Sequence, residues 1–270
     1  MALVLVEDCC AVGTITLNHL SRRNALGAAL TAELVAALDH LRTRLVRAVV
    51  LRAMPGVKVW SAGHDIDELA TTPRDPLGWS EPLRSLVRLL QEFPAPVLAL
   101  VEGGVWGGAC EVVFACDIIN AAPDVEFAIT PARLGVPYNV AGLACLSKVL
   151  PPVVVREMMF TARPVGVERL WQLGAVGHVV PADHLAEFTF DMARTIAANA
   201  PIAISAMKES LRILNDAHGM AQTQFERLQE LRRQVGESDD YREGLAAFAE
   251  RRPPVFRGRA VPGSAVPGGR

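Results

Sequence analysis

The chain runs to 270 residues, enough for one large domain with a sizeable core, or a domain with a tail. Hydrophobic residues make up 51% of it. No uncharged apolar run reaches the roughly 18 to 20 residues of a membrane helix, and the opening MALVLVEDCC lacks the basic flank and length of a secretion signal. A net charge of −2 gives no case for the concentrated basic face that nucleic acid needs. Cys9, Cys10, Cys110, Cys116 and Cys145 form an odd set without C-x-x-C spacing, so neither a disulfide framework nor a zinc site is expected. The expectation is a soluble, cytoplasmic chain with no membrane and no nucleic-acid partner.

The opening reads as a first β-strand. Residues 12–17, 48–52, 97–101 and 117–121 are β-branched or apolar runs of strand length. Between the first two of these lies 30–46, where Leu30, Leu34, Leu38, Leu41 and Leu45 recur at three-to-four spacing and predict an amphipathic helix. Residues 79–93 repeat that pattern with Leu83, Leu86, Leu89 and Leu90, and 109–115 predict a further helix. Strand alternating with helix implies parallel crossover units and an α/β layered fold. From about Ala141 the character changes, with helices predicted over 152–159, 165–173, 182–197, 202–214 and 220–234 and one strand within 174–180. The Pro- and Gly-rich end reads as disordered. The chain thus divides into a core over 1–195, a helical region over 196–258 and a tail over 259–270.

Three glycine-containing clusters interrupt this pattern: 60–67 (WSAGHDID), 101–111 (VEGGVWGGACE) and 134–139 (LGVPYN). Tight glycine turns let backbone N–H groups point at a ligand. Gly107 and Gly108 open a helical pattern, which places the Gly108 amide at a helix N-terminus, where negative charge is favoured. Two such amides converging on one point form an oxyanion hole. Any one cluster alone would read as an ordinary turn. None is a G-x-G-x-x-G or P-loop sequence, so nucleotide cofactor motifs are absent.

Four motifs follow one another from about residue 12 to 258. They are Ile15-Thr-Leu-Asn with Arg22-Arg-Asn-Ala-Leu26; Ser61-Ala-Gly-His-Asp-Ile66; Gly107-Gly-Ala-Cys-Glu111 with Cys116-Asp117; and Asp240-Tyr-Arg-Glu-Gly with 248–256 (FAERRPPVF). Together they resemble the opening, the two oxyanion loops and the C-terminal helix of the enoyl-CoA hydratase/isomerase (crotonase) family. The resemblance implies the crotonase (ClpP-like) fold, a spiral of layered β-sheets with helices and a C-terminal helical region where members trimerise. It implies that the oxyanion amides belong to His64 and Gly108. It also places coenzyme A along Arg22, Ala62, Gly63, Asp65 and Ile66, with Arg251 and Phe256 near its far end. An acyl-CoA thioester is then the substrate, and a homotrimer or hexamer the assembly. Apolar residues in excess of one helical face, at Ile202, Ala203, Ile204 and Met207, agree with contacts between chains.

A hydratase of this family uses two carboxylates to position water and move its proton. The first matches Glu111. Counting from Phe127 and Gly135 puts Pro131 at the second position, and anchoring on the proline puts Ala132 there; neither can move a proton. The segments Thr130-Pro … Leu134-Gly-Val-Pro-Tyr-Asn139, Arg74-Asp-Pro-Leu77, Phe160-Thr-Ala162 and Ala217-His-Gly-Met220 … Phe225 resemble, more narrowly, the methylmalonyl-CoA decarboxylases of that family. That likeness implies loss of CO2 from a substrate carboxylate held out of the thioester plane, giving propionyl-CoA. The enolate sits between two amides, and neither biotin, nor a metal, nor a catalytic base is needed. By the same likeness Tyr138 flanks the substrate carboxylate and Thr130 lines the acyl pocket.

Blander readings stand beside these. Cys110 reads as packing rather than as a nucleophile, because reactive thiols need an activating basic group. The six histidines show no paired spacing for a metal, and His64 is expected to act through its amide. Ala206-Met-Lys208 resembles a biotin-carrier sequence but lies in a helical run, so Lys208 reads as a surface helix lysine. Tyr138 is read as functional against a plain packing role. Glu111 is either an acid/base or a structural carboxylate, and both readings stay open. A hydratase or isomerase using Glu111 alone, and a silent acyl-CoA-binding subunit, remain as alternatives.

Overall fold

The computed structural model describes residues 2–68, 82–216, 226, 229–230 and 233–255. The segment at Arg74, the segment 217–220, Phe225, Phe256, the tail over 259–270, the start of the helix expected over 79–93 and most of that expected over 220–234 lie outside the described residues.

The first two strands, β1 (Val4–Cys9) and β2 (Val12–Leu17), form an antiparallel hairpin. Then β3 (Ala48–Ala53), β5 (Val97–Val101), β7 (Ile118–Ala121) and β10 (His178–Val179) add in parallel, giving the sheet order β1-β2-β3-β5-β7-β10. A smaller sheet holds β4 (Val59–Ser61), β6 (Gly104–Trp106), β8 (Glu126–Ala128) and β9 (Val165–Gly166), with only the β8–β9 pair antiparallel. From β3 to β8 successive strands alternate between the two sheets. Each pass of the chain therefore lays one strand in the large sheet and the next in the small one. The strand β5 is buried along its whole length, as a central parallel strand covered on both faces must be.

The helix α1 (Ala28–Thr43) buries Leu30, Leu34, Leu38 and Leu41 on one stripe. Leu45 does not continue that stripe, contrary to the periodicity. It adopts φ 55° and is 82% exposed, because the chain leaves the helix at Arg44 and turns to bring Val46 back into the core. Leu83, Leu86, Val87 and Leu90 form the buried stripe of α2 (Pro82–Glu92). The short helix α3 (Gly108–Phe114) is buried throughout.

Further along, α4 (Val140–Val149) has no counterpart among the expected helices, and α5 (Pro152–Thr161) begins on the expected proline. The helix expected over 165–173 starts later. Val165 and Gly166 pair with β8, and α6 occupies Val167–Gln172. α7 (Ala182–Ala198) packs across β3, β5 and β7.

Next comes α8 (Pro201–Asp216), which carries Lys208. That lysine is not a surface residue. Its side chain is 10% exposed, and its ammonium donates to Asp117 Oδ2 at 2.7 Å, Leu90 O at 3.1 Å and Ala95 O at 3.2 Å. Asp117 also accepts from Val97 N at 2.7 Å, so one ion pair ties α8 to the edge of β5. The last helix, α9 (Asp239–Ala249), lies on the 3-10 turn Pro131–Leu134, where Gly244 meets the Leu134 backbone. Tyr241 of α9 is buried with Val136 against Ile66 and Leu134.

Candidate active site

The loop after β4 is held by the turn that precedes α1. Arg23 and Asn24 take left-handed angles, φ 49° and 51°, which aim their backbone at the loop. Ala62 N donates to Arg23 O at 2.9 Å, Leu26 N to Gly63 O at 2.7 Å, and Ser61 Oγ to Asn24 O at 2.6 Å. The buried Asn24 side chain closes the same contact by donating to Trp60 O at 2.8 Å. The sequence Arg22–Leu26 thus acts as a brace for residues 60–64.

The loop after β6 is glycine for a steric reason. Gly107 stands at φ 53°, ψ −124°, a region closed to residues with a side chain, and its N–H donates to Ala128 O at 2.8 Å. Gly108 follows as the first residue of α3, where an N–H has no partner within the helix. No other acceptor among the described residues takes it. A β-carbon placed on Gly108 would stand 3.5 Å from His64 N, so the two amides assigned from sequence lie side by side.

These amides border a small cavity of about 60 Å³. Ala62, His64 and Ile66 line one side and Gly107, Gly108 and Glu111 another; Leu83, Thr130, Pro131, Leu134, Val136, Tyr138 and Asn139 complete it. The wall is mainly apolar. Glu111 is 2% exposed and accepts from Asn139 Nδ2 at 3.2 and 3.3 Å. Asn139 is also the N-cap of α4, its Oδ1 accepting from Gly142 N at 2.6 Å. Gly142 leaves the carboxylate its room, since a β-carbon there would stand 2.5 Å from it.

The Tyr138 hydroxyl is buried and makes no well-formed hydrogen bond among the described residues. An unsatisfied buried hydroxyl costs about 1–3 kcal/mol, a cost a ligand can relieve. Burial, and next the charge of Glu111, push the phenol well above its ordinary pKa, so Tyr138 is a neutral O–H donor. Burial first, and then Glu111, also raise the Cys110 thiol, whose Sγ points at the carbonyls of Val105 and Ala128, both at 3.5 Å. This is a packed thiol rather than a nucleophile. Burial likewise lifts Cys145 to about 12.

The sequence model of the enoyl-CoA hydratase/isomerase family matches residues 7–259. The chain belongs to that family. It is 44% identical over 247 residues to methylmalonyl-CoA decarboxylase of Escherichia coli K12, covering 92% of this chain and 95% of that one. It is 31% identical over 247 residues to carnitinyl-CoA dehydratase of the same strain, covering 91% and 94%. A solved methylmalonyl-CoA decarboxylase in complex with 2-nitronate-propionyl-CoA superposes with a TM-score of 0.93 at 43% identity, over 96% of this chain and 99% of that one. Another, complexed with 2S-carboxypropyl-CoA, gives the same figures.

Within this family member the expected site residues fall into two groups. Ala62, His64, Ile66, Gly108, Glu111, Thr130 and Tyr138 share the cavity, and Gly63 lies directly behind it against Trp106 and Gly108. Arg22 and Asp65 stand outside, joined to each other at 2.7 Å, with Asp67 on the same guanidinium at 2.6 Å. Arg251 is an exposed residue at φ 54° just past α9. Of the two candidates for the second acidic position, Pro131 faces the cavity, whereas Ala132 is exposed. Glu111 is the only carboxylate among the described residues lining it. Sequence reasoning missed Leu83 and Asn139. An asparagine directly before a helix is an N-cap signature, and it could have revealed Asn139.

Proposed function

We propose that the chain decarboxylates methylmalonyl-CoA to propionyl-CoA through a thioester enolate. One observation carries this reading: among the described residues the cavity combines two adjacent backbone amides with a single carboxylate, and Pro131, one of the two candidates for a hydratase's second acidic position, lines it without a proton to move.

Coenzyme A lies along Arg22, Ala62, Gly63, Asp65 and Ile66, with Arg251 and Phe256 toward its far end, and delivers the thioester carbonyl to the amides of His64 and Gly108. The substrate carboxylate stands beside Tyr138, out of the carbonyl plane, with Thr130 lining the acyl pocket, so that the breaking C–C bond overlaps the carbonyl π system. The bond's electrons pass to the thioester oxygen as CO2 departs. Each preorganised amide lowers that barrier by about 3–4 kcal/mol, and the protein's remaining task is orientation.

A cavity of about 60 Å³ holds only a few times the ~10–15 Å³ that one water needs, which favours a short, branched acyl group. The chemistry calls for neither biotin nor a metal, and the free thiols suit a reducing cytoplasm. The helical region over 196–258 supplies the contacts of a homotrimer or hexamer.

The buried Glu111 carboxylate at the cavity favours a second reading, hydration or isomerisation of an enoyl-CoA by Glu111 alone. Incubation with a panel of acyl-CoA thioesters, followed by mass, separates the two. Propionyl-CoA and CO2 from methylmalonyl-CoA are expected. Turnover of enoyl-CoA without CO2 release from any substrate would overturn the decarboxylase reading.

A further inference from the structure

Glu111 lines two cavities. In front it borders the pocket of the two amides; behind, it borders a larger, solvent-open cavity of about 280 Å³ between α2, α4 and α8. Arg84, Arg88 and Gln91 of α2, Ala144 and Lys148 of α4, and Arg212 of α8 line this rear cavity. It exists because α4 turns Ala141, Ala144 and Cys145 toward it, none large enough to fill the gap. We propose that the rear cavity is the port through which the proton that replaces CO2 enters, and that Glu111 and Tyr138 pass it to the enolate. The proposal rests on the decarboxylase reading and adds the step that reading leaves open.

Once CO2 has gone, the enolate carbon needs one proton. Ile66, Leu83, Leu134 and Val136 offer none, and the thioester fills the front of the pocket. Tyr138 holds a neutral O–H with no well-formed partner at the place the carboxylate has left. Glu111 lies beside it, kept in place by Asn139 and given space by Gly142. The charged and titratable groups around Glu111 are Tyr138, Cys110 and His64 on the near side, and Cys145, Arg84, Arg88, Glu92, Lys148 and Arg212 around the rear cavity.

The step balances. Glu111 begins as the carboxylate and takes a proton from solvent acid through the rear cavity. Tyr138 gives its proton to the α-carbon, the enolate electron pair forms the new C–H bond, and Glu111 gives its proton to the Tyr138 oxygen. That leaves Glu111 as the carboxylate it began as. One proton is consumed per CO2 released. Because Tyr138 flanks the place the carboxylate leaves, the proton arrives on the face that CO2 left, with retention of configuration.

Decarboxylation in D2O tests this, with the configuration of the 2-deuteriopropionyl-CoA read by chiral derivatisation and NMR. The wild type should give one configuration, retained, in large excess. Glu111→Gln should give a nearly equal mixture, with product formation slowed by about 100-fold, the low end of what a positioned acid contributes. Ala144→Trp, which fills the rear cavity and replaces no catalytic group, should slow the proton step. Labelled CO2 should then return into unreacted methylmalonyl-CoA faster, relative to product formation, than in the wild type. Gln91→Phe makes the same test from the opposite wall should Ala144→Trp fail to fold. CO2 release with an equal mixture from the wild type would overturn the proton route alone, as would folded plugged variants whose label return matches the wild type. Absence of CO2 release from the wild type would remove the decarboxylase reading with it.

Discussion

Gly63 and Gly108 meet so closely that a β-carbon on Gly63 would stand 3.0 Å from the Gly108 nitrogen and collide with the Trp106 carbonyl. Gly63 also sits at φ +84°, where an L side chain costs about 1–2 kcal/mol. Gly63→Ala should therefore push the two oxyanion loops apart. Turnover of methylmalonyl-CoA should fall about 100- to 1,000-fold, the usual effect of losing one oxyanion donor, with thermal unfolding shifted down. Wild-type turnover in a folded Gly63→Ala enzyme would show that the loops do not set the spacing of the amides.

Gly108→Pro removes the second donor outright. Proline is tolerated in a first helical turn, but a β-carbon on Gly108 would stand 2.7 Å from Leu83 Cδ2. The substitution is best made in a Leu83→Ala background, with Leu83→Ala alone as control. The double variant should keep its circular dichroism and bind free coenzyme A, yet turn over about 100- to 1,000-fold more slowly than the control. Equal rates for the two would take Gly108 out of the mechanism.

For the carboxylate, Glu111→Gln should slow CO2 release without abolishing it, because bond cleavage needs orientation and the two amides rather than a base. A hydratase would lose all activity. Rates of CO2 release measured alongside hydration of an enoyl-CoA decide the matter, and complete loss of decarboxylation in a folded variant would refute the mechanism.

Lys208→Met deletes the ion pair to Asp117 together with two hydrogen bonds, to the carbonyls of Leu90 in α2 and of Ala95 in the turn before β5. A charged hydrogen-bonded group at this depth stabilises by about 2 kcal/mol. The variant should unfold at lower temperature and keep its KM, since Lys208 does not line the acyl pocket. An unchanged unfolding temperature would mean that α8 is held by its apolar contacts instead.

On assembly, Ile202 is 85% and Leu214 67% exposed in the single chain, with Met207, Leu211 and Ile213 also exposed along α8. Light scattering at micromolar concentration should give a trimer or hexamer. A monomer would leave this apolar helix without a role in assembly.

The parts of the fold legible in sequence are those whose pattern is long enough to have a period. β5 shows as an unbroken apolar run because both its faces are covered, and α1 shows as four leucines on one stripe. The three-residue strands β4, β6 and β8 carry no period, although they hold the site together. Leu45 fits the spacing of α1 yet faces solvent, since helix ends depend on local backbone angles that leucine does not announce. The front of the site was legible through its glycines, because positive φ and close approach leave few other residues possible. Contacts across the chain, such as Lys208 with Asp117 or Leu83 with Gly108, have no signal in a single sequence.

The two amides follow β4 and β6, which are adjacent parallel strands of the small sheet, with Val59 paired to Gly104 and Ser61 to Val105. Neighbouring strands stand ~4.8 Å apart wherever they are hydrogen-bonded. The gauge of the anion cradle is therefore inherited from main-chain pairing, and an exchange such as Gly63→Ala reaches it only by forcing apart the loops that follow these strands. A scaffold of this kind can change its chemistry by replacing the side chains that face the cavity, while the spacing of its two amides stays set by the strands.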